Sequence, residues 1–317
     1  METSIVALDE APAQPWRQSA LRLSLDTVPV GSAGSTRNIL VWAPSRSSQR
    51  AERGLAVLIA ISPGTFLERI PTPDILQYLI RTGEVRPTLL VVVPEPDRSD
   101  ERTRYAGITA FLADTVLPAI RARYAVSPGP EDVVVTGTSR RGLMAAVAAV
   151  NRPDAIGAVL SLSGSFYWAP PGEGRYEWLS ARVAREPRKP LRWFVASGSL
   201  ETVVTPGNHG HYMVGTNRHL NDVLTAKGYT HFYEEFAGVH HEANWEDALA
   251  TGLRLLLPGK QPSATSALHT GAWARRRQGK IDAASGGPSP AQEPAGAGPQ
   301  TQSKQPWVAQ VPQLRPS

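Results

Sequence analysis

Residues 131–146 read Glu-Asp-Val-Val-Val-Thr-Gly-Thr-Ser-Arg-Arg-Gly-Leu-Met-Ala-Ala, and this stretch decides the fold. A β-branched run enters Gly137-Thr138-Ser139, and an alanine-rich helical segment follows without a break. A strand that passes through a Gly-x-Ser turn straight into a helix has the local form of a nucleophile elbow. In so tight a turn the residues two positions either side of the serine face the adjoining strand and helix. Gly137 relieves one side, whereas the other side carries Arg141, which leaves Gly142 to supply the close approach. The serine hydroxyl then stands at the carboxyl end of the strand, and the N–H groups of the helix start face an oxyanion. Ser139 is equally suited to a plain helix N-cap, and the motif alone supports both readings.

Outward from this stretch, strand-like and helix-like segments alternate. Short unbroken apolar runs lie at 38–42, 55–61, 88–93, 132–136, 156–162 and 191–196, the pattern of strands covered on both faces. Helical patterns occupy 73–81, 108–124, 141–150, 176–185 and 212–227, and a last one at 241–257 stops at Pro258. Residues 21–30 add an antiparallel strand. The alternation predicts an α/β fold with a mostly parallel central sheet and helices on both faces. A flexible segment at 1–20 precedes one domain at 21–257. Residues 258–317 are rich in Pro, Gly, Ala, Ser and Gln, a low-complexity tail expected to be disordered.

Composition narrows the chemistry. The 317 residues contain no cysteine, which excludes disulfides, thiolate catalysis, iron–sulfur clusters and cysteine zinc sites. No apolar run reaches the roughly 18 residues of a membrane helix. The start, Met1 to Trp16, shows neither a basic stretch nor an apolar core of a signal peptide, which predicts a cytoplasmic protein. The net charge of +5 resides in the tail: residues 258–317 hold seven of the 33 Lys and Arg and two of the 28 Asp and Glu. The remaining 26 basic and 26 acidic residues balance, so nucleic acid is not an expected partner of the folded part.

Two further residues join Ser139. A strand at 231–236 leads into Ala237-Gly238-Val239-His240-His241, which places a histidine on a loop after the last strand, 101 residues beyond Ser139. The His240-His241 pair also resembles a metal site, but adjacent residues of an extended chain point apart and no nearby acid cluster completes a ligand set. After the strand at 191–196 comes Ser197-Gly198-Ser199-Leu200-Glu201, where Glu201 is the one acid of the loop. Ser139, Glu201 and His240 therefore occur in the order nucleophile, acid, histidine.

With these sites in view, residues 37–257 resemble the catalytic domain of enterochelin (enterobactin) esterases within the putative-esterase family of α/β-hydrolases. The likeness rests on the blocks ending at Gly64, Arg98 to Glu101, Gly137 to Leu143, Leu162-Ser-Gly-Ser-Phe-Tyr-Trp168, Gly215 to Leu220 and Phe236 to His240. Arg141 and His241 depart from that pattern, and fewer than 40 residues precede the first matched strand. The resemblance implies serine hydrolysis of a small-molecule ester, including siderophore-type esters, with no metal or organic cofactor. An acyltransferase on the same triad and a non-catalytic binding protein are the alternatives. The oxyanion donors would be the N–H of Arg140 and one from the loop at Gly64 and Thr65. Phe166, Tyr167 and Trp168 are expected to wall the substrate pocket or to pack inside the domain. Arg98 would clamp a substrate anion or pair with Glu101, and Arg141 would reach the cleft rim to meet substrate. The sequence leaves the oligomeric state open. The tail composition predicts that deleting residues 262–317 leaves the melting temperature of the domain unchanged. A large drop in a thermal melt of the truncated protein would show that the tail packs on it.

Overall fold

The computed structural model describes residues 14–18, 24–31, 36–45, 54–95, 101–172, 176–204 and 210–260. Arg98 and residues 261–317 lie outside the described residues. Among the described residues, eight strands form one sheet: β1 (Asp26–Val30), β2 (Arg37–Trp42), β3 (Ala56–Ile61), β4 (Thr88–Val93), β5 (Val133–Thr138), β6 (Ala158–Leu162), β7 (Arg192–Gly198) and β8 (Thr230–Phe236). Their spatial order is β1-β2-β4-β3-β5-β6-β7-β8. Strands β3 to β8 pair in parallel, and β2 runs antiparallel to both β1 and β4. The mostly parallel sheet expected from the alternation is therefore present, with an antiparallel hairpin at one edge.

The central strands read Ala-Val-Leu-Ile-Ala-Ile in β3 and Thr-Leu-Leu-Val-Val-Val in β4, and every residue of both is buried. Successive side chains of a strand point to opposite faces. Val57, Ile59 and Ile61 of β3 accordingly join one core, and Ala56, Leu58 and Ala60 join the other. Seven helices among the described residues are α1 (Thr72–Arg81), α2 (Glu101–Ala110), α3 (Leu117–Arg123), α4 (Arg140–Asn151), α5 (Trp178–Arg185), α6 (Met213–Ala226) and α7 (Glu242–Leu256). Leu143 of α4 and Leu220 of α6 complete the first core, whereas Ile75 of α1 and Leu249 of α7 complete the second. Each buried Val, Leu or Ile stabilises the fold by about 1.5–3 kcal/mol. Helices on both faces thus explain why these strands carry no polar alternation.

The helix expected at 108–124 starts earlier, at Glu101, and is not uniform. Its middle, Phe111–Val116, has π-helical register before α3 resumes. Pro118 has no N–H to donate to the preceding turn, a local cause for the wider register. Residues Pro15–Gln18 form a 3-10 turn, and Trp16 sinks into the second core at 2% exposure. Its indole N–H donates to Glu246 of α7 at 3.3 Å, and Arg17 pairs with the same carboxylate. No helix among the described residues is long and apolar enough to cross a membrane.

The topology places the site. The strand order runs outward from β3 in both directions, to β4 on one side and to β5 and beyond on the other. In open α/β sheets such a switch point leaves a crevice beyond the carboxyl ends of the strands.

One buried acid makes the fold pH-sensitive. Glu234 of β8 has a fully buried Oε2 without a hydrogen-bond partner among the described residues. Burial, with a smaller contribution from the charge of Asp247, pushes its carboxyl from 4.5 up to about 7. The folded state holds this proton more tightly than the unfolded chain, so the stability it contributes is fully present below pH 4.5 and lost as pH rises to about 7. The difference is on the order of 2–3 kcal/mol. Glu234→Gln is expected to flatten that part of the curve and to stabilise the protein above pH 7, read by urea melts across pH.

Candidate active site

The elbow forms as its residues dictate. Ser139 sits between β5 and α4 with φ 54° and ψ −124°, a conformation that non-glycine residues rarely adopt. Its side chain makes no capping hydrogen bond to α4, so the N-cap reading fails in geometry. The hydroxyl instead lies 3.4 Å from Ser165 Oγ. A Cβ at position 137 would stand 2.3 Å from the carbonyl oxygen of Arg141, so the turn closes with glycine there alone. Gly142 supplies the second close approach: a Cβ at that position would meet Ser161 Oγ at 2.6 Å. Arg141 escapes the junction and directs its guanidinium to Glu95, beyond the end of β4.

Glu201 and His240 meet as the sequence order suggests. Glu201 follows β7, and its side chain is 1% exposed. His240 Nδ1 lies 2.8 Å from Glu201 Oε2. A carboxylate accepts, so Nδ1 carries the hydrogen and Nε2 is the basic nitrogen. The other oxygen, Oε1, accepts from Gly198 N at 2.8 Å and from Ser163 Oγ at 2.6 Å. Trp245 Nε1 donates to Ser163 Oγ at 2.9 Å, and the indole ring stands edge-on to His240 with centroids 4.9 Å apart. His241 points elsewhere, with Nδ1 accepting from Ala243 N at 3.2 Å as the N-cap of α7. The adjacent histidines therefore serve different ends.

Ser139 and His240 line one cleft of about 460 Å³ together with Gly64, Thr65, Arg141 and Trp245. Gly64 and Thr65 begin a π-helical turn, Gly64–Arg69, that follows β3. Thr65 N and Phe66 N both donate to Ser62 O, at 3.3 and 3.1 Å. Arg140 opens α4, so its N–H belongs to the first helical turn beside Ser139.

Of the two readings of the aromatic block, packing inside the domain fits Phe166 and Trp168. Phe166 is wholly buried in the first core, away from the residues that line the cleft at Ser139. Trp168 packs on Tyr105, with centroids 4.5 Å apart, and on Trp178 at 6.4 Å. Tyr167 is half-buried, and its carbonyl accepts from Glu177 N at 3.0 Å. The serines of the same block reach the site: Ser163 holds Glu201, and Ser165 N donates to Ser139 O at 3.0 Å. Buried Asn217 of α6 braces their turn through Gly164 O at 2.8 Å. Sequence reasoning missed these roles, although the Ser-Gly-Ser block and the Gly215 to Leu220 block both stood out.

Comparison with known proteins agrees with this architecture. The family model described as Putative esterase matches residues 31–256. The chain is similar to an iron(III) enterobactin esterase of Dickeya dadantii (strain 3937), 24% identical over 82% of this chain and 60% of the relative. It is also similar to one of Escherichia coli (strain K12), 26% identical over 79% and 62%. The chain thus spans about three-fifths of the length of these curated relatives. The enterobactin esterase from Shigella flexneri, solved in the presence of enterobactin, superposes with a TM-score of 0.65 at 21% identity, covering 79% of this chain and 64% of that one. A ferulic acid esterase from Anaeromyces mucronatus gives 0.58 at 18% identity, covering 77% and 97%. The fold is that of the α/β-hydrolases.

The elbow geometry yields a paired test. Gly137→Ala forces α4 away from β5 and is expected to destabilise the protein by about 1–3 kcal/mol. Gly107→Ala, in α2 with nothing within 4 Å of the added carbon, is expected to stabilise it by about 0.5–1 kcal/mol. Chemical denaturation of the two variants beside the parent checks both signs.

Proposed function

Because this chain belongs to the putative-esterase family, we propose that it is a serine hydrolase that cleaves carboxylic esters through Ser139, His240 and Glu201. One observation carries the reading: a buried Glu201 orients His240 at the cleft where Ser139 stands in a strained turn, its hydroxyl unspent on capping. Siderophore-type esters, named for the curated relatives, fall within the proposal.

In this reading His240 Nε2 takes the proton of Ser139 as its oxygen attacks the ester carbonyl. Glu201 holds the ring in place and stabilises the imidazolium without taking its proton. The tetrahedral oxyanion is held by the N–H groups of Arg140 and Gly64. Thr65, the other residue expected there, has its N–H turned back on Ser62. Each donor of this kind is worth about 3–4 kcal/mol in the transition state. The imidazolium returns its proton to the leaving alkoxide, so an alcohol departs and an acyl-Ser139 ester remains. Water then attacks that ester with His240 again as base, releasing the acid and restoring the serine hydroxyl. The chemistry as written uses no metal or organic cofactor.

The full chain is expected to hydrolyse short-chain 4-nitrophenyl esters in the presence of EDTA and to be labelled by a fluorophosphonate. Ser139→Ala should abolish labelling and lower kcat/KM by about a thousandfold or more. An alanine variant that keeps the parent rate would overturn the assignment of the nucleophile.

A further inference from the structure

Two arginines line the cleft, Arg69 and Arg141, and the guanidinium of each pairs with a carboxylate of the protein itself. Arg141 stands beside the elbow and gives both Nε and Nη2 to Glu95 Oε1. Arg69 gives Nη1 to Glu242 Oε1 at 2.6 Å. The two pairs differ in shielding. Arg69 is 65% exposed, so water and salt screen it. Arg141 and Glu95 are 28% and 33% exposed, and the backbone of Arg141 is pinned against Gly137. The Arg141 backbone is therefore fixed two residues from Ser139, and its charge is held by Glu95.

We infer that the Glu95–Arg141 pair makes the cleft select esters that carry no charge near the scissile bond, with Glu95 as the specificity-determining residue. The inference rests on the esterase reading above. A bare guanidinium attracts a carboxylate or phenolate through its full charge. One neutralised by an adjacent carboxylate offers a dipole, whose field decays faster with distance. Guanidinium carries five N–H donors, more than Nε and Nη2 use on Glu95, and these suit a neutral carbonyl or hydroxyl oxygen. No net charge of the folded part offsets the local balance, since residues 1–257 carry 26 basic and 26 acidic side chains. An anionic substrate must displace Glu95 or sit near it, and either carries a penalty that an uncharged ester escapes.

The test compares esters matched in size and differing in charge: 4-nitrophenyl hexanoate against mono-4-nitrophenyl adipate for the acyl side, and 4-carbamoylphenyl butyrate against 4-carboxyphenyl butyrate for the alcohol side. The readout is the anionic-to-neutral ratio of kcat/KM for the full chain, and of binding affinity by calorimetry to the Ser139→Ala protein. The parent is expected to favour the neutral member on at least one side. Glu95→Gln should raise the ratio there by about tenfold, the size of one unmasked charge pair in a half-shielded cleft. Adding Arg141→Gln to that variant should return the ratio to the parent value. A parent preference for the anionic member, or a ratio unmoved by Glu95→Gln in both rate and binding, would overturn the inference. A shift in binding with no ester hydrolysed by the parent would support the charge selection while refuting the esterase reading.

Discussion

A carboxylate with 1% of its side chain exposed, Glu201, holds the site together. Burying such a charge is costly unless hydrogen bonds replace its water. Three donors do so here, from Gly198, Ser163 and His240, and they come from the ends of three neighbouring strands. Ser163 is itself held by the indole of Trp245 in α7. Backbone bonds add to this arrangement: Ser199 N donates to Phe236 O at 2.9 Å and Leu200 N to Gly238 O at 3.0 Å. The acid loop and the histidine loop are thereby laced into one unit. Moving either one would strip donors from the buried carboxylate, so His240 is fixed by a penalty that falls on Glu201.

The same edge of the sheet stores backbone strain. Ser62, Ser139 and Ser163 all have positive φ, at 99°, 54° and 48°. They follow β3, β5 and β6, which are neighbours in the sheet. Each strained serine donates its N–H to an adjacent strand: Ser62 to Val93 O, Ser139 to Leu162 O and Ser163 to Ala196 O, at 2.7–2.9 Å. The ladder thus runs one residue past each strand before the chain turns away. A residue in such a conformation costs about 1–3 kcal/mol and persists where its surroundings over-determine it. The parallel pairing of fully buried strands supplies that restraint. It leaves Ser62 and Ser139 lining the crevice and Ser163 buried beneath it against Glu201, all with little freedom to relax.

Much of this was legible in the residues themselves. Uninterrupted apolar runs marked β3 to β7 because strands covered on both faces need no polar alternation. Ser139 and Glu201 stood out because each sits alone of its kind in a short loop after a strand, and His240 because a histidine pair follows β8 and only its first member meets the acid. The partners of these residues did not. Ser163 serves Glu201 across 38 positions, Trp245 serves Ser163 across 82, and Glu95 meets Arg141 across 46. Such pairs depend on which strand ends lie side by side, and local periodicity says nothing of that. The aromatic run 166–168 stayed ambiguous for a related reason. An apolar block after a strand reads alike whether it faces a cleft or the core, and the tilt of one turn decides between them. Trp16 was hidden by the polar, proline-bearing sequence around it.

The turn at residues 15–18 gives the last helix a role in biosynthesis. Trp16 leaves the ribosome 230 residues before its partner Glu246. Until α7 docks, an indole that ends in the second core has no carboxylate to bond and its apolar face stays wet. The same helix carries Trp245, one residue before Glu246, and Trp245 secures Ser163 beneath the acid. A nascent chain can therefore build most of the sheet while the acid–histidine pair still lacks its brace. Long-range closure of this kind is slow because the loop entropy must be spent before the contact is gained. A chain that stops before α7 lacks Trp245, and with it the hydrogen bond that holds Ser163 beside Glu201.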